Sequence, residues 1–132
     1  MNKINIVGII VLLALITVGC HPTSPTPAPT KTPIKLATQN PHIRGQIINI
    51  YISVGKVTGI LIEGKKEADT VYAKAIVGIN NETHIYINTG GNFTDTDASH
   101  LEKGQTVEAL FTGPIQTSDP VQASALEIVI LK

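Results

Sequence analysis

The chain holds a single cysteine, at position 20, so it can form no internal disulfide and no cysteine cluster for zinc. Tryptophan is absent, and the only aromatic residues are Tyr51, Tyr72, Tyr86, Phe93 and Phe111, too few for a base-stacking surface. Charge is scarce at 15% of residues. Residues 42–132 carry seven basic side chains (Arg44, Lys56, Lys65, Lys66, Lys74, Lys103 and Lys132) against ten acidic ones, a formal charge near −3. That sign repels a phosphate backbone, so nucleic acid is excluded as a partner. His42, His84 and His100 lack the short spacings of a metal pair, and no phosphate loop is present, so no metal or cofactor is expected. Asp95-x-Asp97-x-Ser99 starts like a calcium loop, yet its sixth position is not glycine and its twelfth is Thr106. Ser118, His100 and Asp119 supply the residue types of a hydrolase triad, but Ser118 lies in no nucleophile elbow. The expectation is a protein without catalytic residues.

What the chain does have begins at Cys20. Lys3 precedes an uncharged apolar run over residues 4–18, and Thr17, Val18 and Gly19 lead into the cysteine. A short basic start, an apolar stretch and small residues before a cut site are the parts of a secretory signal. With cysteine directly after the cut, the pattern resembles the lipobox of bacterial lipoproteins. The resemblance implies that Cys20 takes a diacylglyceryl group, that cleavage leaves it as the first mature residue, and that it anchors the protein to the cell membrane. The alternative is an uncleaved membrane helix, for which a run of fifteen residues falls short of the ~20 needed to span. Both place the remaining chain outside the cytoplasm.

Prolines 22, 25, 27, 29, 33 and 41 then punctuate a threonine-rich stretch almost without large apolar side chains. Such a segment cannot bury enough surface to fold, and its prolines favour an extended chain. Three parts are therefore expected: a signal peptide at 1–19, a lipidated cysteine with a disordered linker at 20–41, and a β domain at 42–132.

Past Pro41 the pattern becomes short runs of β-branched residues between glycines. Residues 46–54 alternate, with Ile48, Ile50, Ile52 and Val54 expected on a buried face and Asn49, Tyr51 and Ser53 on the other. Further strands are expected at 57–63, 71–79 (Ala73, Ala75, Val77 and Ile79 in register), 83–87, 105–112 and 123–131. Residues 88–97 read as turns, and 97–101 as one helical turn capped by Asp95, Thr96 or Asp97 and followed by Gly104. Gly113-Pro114 ends the penultimate strand, opening a loop over 113–120. The sequons at Asn81 and Asn92 read as turns. The fold class is all-β: a small OB-like barrel of five or six strands with one short helix, or else a two-sheet sandwich.

The stretch Leu101-x-x-Gly104-Gln105-x-Val107-x-Ala109-x-Phe111-x-Gly113-Pro114-Ile115, with Ser118-x-Pro120-x-Gln122-Ala123-x-Ala125-x-x-Ile128, resembles the YobA-like small envelope lipoproteins. The resemblance implies a lipobox, a low-complexity linker and one OB-like β domain, with no catalytic residues. Where that family carries an acidic residue and an aromatic around the loop serine, this chain has Thr117 and Asp119.

OB-like barrels bind through a sheet face and its flanking loops. That geometry predicts a binding rim of Tyr72, Lys74, Gln116, Ser118 and Asp119. A surface cluster of Tyr51, Tyr72 and Tyr86 would favour binding; a pocket collecting His100, Asp97 and Ser118 would favour catalysis. The expected partners are the membrane, through the lipid on Cys20, and an envelope protein or polymer. The domain is expected to be a monomer.

Overall fold

The computed structural model describes residues 39–132. Cys20, the signal segment and nearly all of the linker lie outside the described residues. Seven strands follow: β1 (Ile43–Ser53), β2 (Lys56–Glu63), β3 (Lys74–Gly78), β4 (His84–Thr89), β5 (Asn92–Thr96), β6 (Thr106–Gln116) and β7 (Val121–Leu131). A 3-10 turn, Ala98–His100, stands before β6.

The pairing closes five of these strands into a ring. β1 pairs antiparallel with β2 and with β6, β2 with β3, and β6 with β7. The ring shuts where β3 runs parallel to the first part of β7, Ala75 opposite Val121 and Gly78 opposite Ser124. Closure pairs the outer edge of β3 with β7, so the ring strands are flanked on both sides along their shared length. This is the OB-like barrel. β4 lies parallel to the second part of β7, Ile85 opposite Ile128, and carries β5 with it as a hairpin outside the ring.

The core is made by alternation. Ile43 and Ile47 of β1, Ile60 and Ile62 of β2, Val77 of β3, Val107 of β6, and Ile128 and Ile130 of β7 are all fully buried. Each such side chain contributes about 1.5–3 kcal/mol by leaving water. Ala75, Ala109 and Ala125 take up the tighter places between them, and Ile85 and Leu101 complete the cluster.

Four expectations need correction. The alternating face assigned to β1 is wrong: Ile48, Ile52 and Val54 are 45%, 67% and 97% exposed. The strand starts earlier, at Ile43, and a β-bulge between Ile47 and Asn49 inserts Ile48 as an extra residue. One inserted residue moves the inward positions from odd to even numbers, so Ile47 and Ile50 face the core in turn. Second, residues 92–96, read as turn, form β5; Gly90 and Gly91 both have positive φ (58° and 93°) and make the two-residue turn between β4 and β5. Third, β3 is only five residues long: Ala75 and Val77 are buried as expected, but Ala73 is exposed and precedes the strand. Fourth, Gly113-Pro114 does not end the penultimate strand: β6 continues through both to Gln116.

The ring has two ends. The chain enters the first at β1, where Ile43 bridges Tyr72 and Glu63 pairs with Lys74; the β2–β3 loop and the β6–β7 connection belong to this end. At the second end β1 and β2 run on as a ribbon to a two-residue turn, Val54-Gly55, with Ser53 opposite Lys56. Residues 79–83 and the 3-10 turn close in beside that ribbon.

Candidate binding cavity and apolar hairpin

A concavity of about 620 Å³ opens at the second end. Three chain segments line it: Gly55, Lys56, Val57 and Thr58 of the β1–β2 hairpin, Ile79, Asn80 and Asn81 after β3, and Asp97, Ala98 and Ser99 at the 3-10 turn. Val57, Ile79 and Ala98 pack against the core and give it an apolar floor. Amides, hydroxyls and one charge of each sign, Lys56 and Asp97, stand around them. An apolar floor with a few converging polar groups is the usual composition of a binding cavity.

Each wall is held locally. Asn80 Oδ1 accepts from the Glu82 amide at 2.8 Å, and Thr83 Oγ1 accepts from the Asn80 amide at 3.1 Å while donating to the Ala125 carbonyl at 2.8 Å. Asp97 is the N-cap of the 3-10 turn, its Oδ1 accepting from the Ser99 amide at 2.8 Å and also from the Ser99 hydroxyl. The Ser99 hydroxyl, and next the Ser99 amide, hold the Asp97 carboxyl below the usual carboxylate range. Thr96 Oγ1 lies 2.9 Å from His100 Nδ1. Asp97 was among the caps expected from sequence, and Gly104 has the positive φ expected of it, 87°.

The catalytic constellation does not assemble. Ser118 sits in the β6–β7 connection at the first end, while Asp97 and His100 stand at the second. Its hydroxyl donates to the Pro120 carbonyl at 2.7 Å. Among the described residues, no three His, Cys, Asp or Glu side chains are grouped so as to hold a metal.

The five residues of the expected rim all belong to the first end. Lys74 precedes Ala75, which pairs with Val121, so the start of β3 lies beside the 117–120 connection. Gln116 pairs with Gln122, whose amide nitrogen lies 3.5 Å from Ser118 Oγ; Asp119 is exposed in the same connection. Two members are occupied elsewhere: Lys74 Nζ is 3.2 Å from Glu63 Oε2, and the Tyr72 ring stacks on Phe111 with centroids 5.9 Å apart. A smaller cavity of about 250 Å³ between β3, β6 and β7 includes Gln116 and none of the other four. The tyrosine cluster is not formed, since Tyr86 is buried at 2% exposure and Tyr72 is turned onto Phe111.

Arg44 organises the first end. Its guanidinium bonds both Asp69 oxygens at 3.1 and 2.7 Å, Glu108 Oε1 at 2.8 Å, and Glu67. Asp69, then Glu108, raise the Arg44 pKa further, and Arg44 in turn holds the Asp69 carboxyl below its ordinary range. These bonds fasten the β2–β3 loop to the barrel. They occupy the Arg44 guanidinium.

At the hairpin tip, sequence reasoning placed Tyr51 outside and missed Ile48, Ile52 and Val54. Ile48, Tyr51, Ile52 and Val54 are four of the five large apolar side chains exposed on the domain, the fifth being Val71. A signal for them was present: no charged residue interrupts the stretch from Arg44 to Lys56. No family model, curated protein or solved structure matches the chain.

Proposed function

We propose that this protein is a tethered binding module: an extracytoplasmic lipoprotein, anchored through Cys20, whose β domain binds an envelope protein or polymer and performs no catalysis. The lipobox-like segment and the resemblance to YobA-like envelope lipoproteins support the tether. The observation that carries the binding reading is the position of the cavity. It opens at the opposite end of the barrel from the point where the chain enters at Ile43, and the exposed hairpin stands beside it.

Two acyl chains at ~0.8 kcal/mol per buried methylene give stable attachment. The test begins with the native protein: mass spectrometry is expected to find Cys20 as the lipid-modified N-terminus, and Cys20→Ser is expected no longer to fractionate with membranes. An intact Met1 or an unmodified Cys20 overturns the anchoring. Binding is tested by cross-linking the tethered wild-type protein in its own envelope and identifying what is held at the second end.

A further inference from the structure

β1 outruns its neighbour. β6 pairs with it only from Ile43 to Gln46, and the ladder ends where the Ile47 amide donates to the Gln105 carbonyl at 2.9 Å and the Gly104 amide to the Ile47 carbonyl at 2.8 Å. Beyond that point Ile48 is bulged out of the ladder and residues 49–53 pair with β2 on one side, and no described strand pairs with residues 48–53 on the other. An open strand edge of this kind presents backbone donors and acceptors to any chain that can align with it.

Natural edges are usually blocked by lysine, proline or an inward charge. This one carries none of them; it has the bulge at Ile48 and a second register shift between Tyr51 and Ile52, where Thr58 of β2 is the extra residue. Instead it concentrates apolar exposure: Ile48 at 45%, Tyr51 at 37% and Ile52 at 67%, with Val54 at 97% on the turn.

We propose that residues 48–53 are a pairing edge for a second copy of this chain, joined antiparallel about a two-fold axis. The neutrality of the strand selects that occupant. In a two-fold antiparallel pair each strand meets its own sequence, so any charge would stand close to its own kind, and like charges across a pair are destabilising. A strand with no charge between Arg44 and Lys56 carries no such penalty. Setting Ile48 opposite Ser53 of the second copy aligns all six residues. Each Val54 tip then reaches the place where Gly104 and Gln105 end the ladder of the other copy. The two ribbons become one four-stranded sheet.

Six residues a side make a patch smaller than the ~1,200 Å² of stable interfaces, so association is weak and depends on concentration. This departs from the monomer expected of the sequence, because the bulge that exposes this face cannot be read from residue order. The proposal stands on the edge alone, whether or not Cys20 is acylated.

The test uses the full chain, solubilised in detergent, followed by sedimentation and amide exchange between about 5 and about 500 µM. The wild type is expected to move from monomer toward dimer mass, with roughly tenfold slower exchange confined to residues 48–53. Ile48→Lys and Ile52→Lys, both at exposed positions, are expected to stay monomeric, and Val71→Lys to dimerise like the wild type. A wild type that stays monomeric over this range overturns the proposal, as do lysine variants that dimerise unchanged. Protection that rises at the β5 edge instead of β1 overturns it as well, and this readout needs no variant.

Discussion

Gly45 and Gly64 lie against one another where β1 crosses the end of β2. A Cβ on Gly64 would fall 2.1 Å from the Arg44 carbonyl oxygen and 2.8 Å from the Gly45 Cα; one on Gly45 would fall 2.4 Å from the Glu63 carbonyl oxygen. Backbone atoms cannot swing aside as a side chain can. Gly45→Ala and Gly64→Ala are each expected to cost about 2 kcal/mol or more in chemical denaturation. Gly78→Ala meets nothing closer than 3.7 Å and is expected to change stability by less than about 1 kcal/mol. Equal losses at all three would refute the close approach.

Val54 occupies a left-handed conformation at φ 49°, followed by Gly55 at 73°, the pattern of a type I′ turn. A β-branched residue there costs about 1–2 kcal/mol, and its 97% exposure returns no burial. Val54→Asn is therefore expected to raise stability by about 1 kcal/mol. A lower melting temperature for this variant would mean that the turn is not strained.

His42 Nδ1 accepts the Phe111 amide at 3.1 Å, and its ring stacks on Phe111 at 4.9 Å, an arrangement that requires neutral imidazole. Burial lowers its pKa below 6.5. The unfolded chain thus binds a proton more readily than the folded one. The stability due to neutral His42 is present above the unfolded pKa and is lost as pH falls through the folded value. Melting temperature is expected to fall from about pH 7 to about pH 5, and His42→Asn, which keeps an acceptor but does not titrate, is expected to flatten that part of the profile.

Arg44 lowers the Asp69 pKa, so the wild type loses this contribution on acidification through the depressed folded value. In Arg44→Met, Glu67, Asp69 and Glu108 are left without the cation that joins them. The variant is expected to be less stable at neutral pH and to lose less than the wild type on acidification, because the Arg44–Asp69 contribution is already gone. A variant whose acid profile parallels the wild type would show that Arg44 holds no shared network.

Much of the barrel was legible because its strands alternate cleanly. Ile60 and Ile62, Ala75 and Val77, and Val107 and Ala109 each place their core residues two apart. β1 misled because isoleucine occupies both phases: Ile47 and Ile48 are adjacent, and the bulge between Ile47 and Asn49 selects one before it and the other after it. β5 was hidden because Phe93 is its only large apolar residue. Gly113 was read as a strand end, whereas β6 passes through it at φ 70° and continues to Gln116. The cavity joins two segments held by β2–β3 pairing with the 3-10 turn from a distant part of the chain, and neither that juxtaposition nor the parallel β3–β7 contact has a local signature.

The claim that the second end is the working end is tested most directly by comparing two arginine substitutions in the tethered protein. Asn81→Arg fills the mouth of the cavity, and Gln116→Arg places the same bulk and charge at the first end. With folding checked by melting temperature, cross-linking in the native envelope is expected to lose its product in Asn81→Arg and to keep it in Gln116→Arg. Product kept by Asn81→Arg and lost by Gln116→Arg would contradict the account and move the binding site to the end where the chain enters.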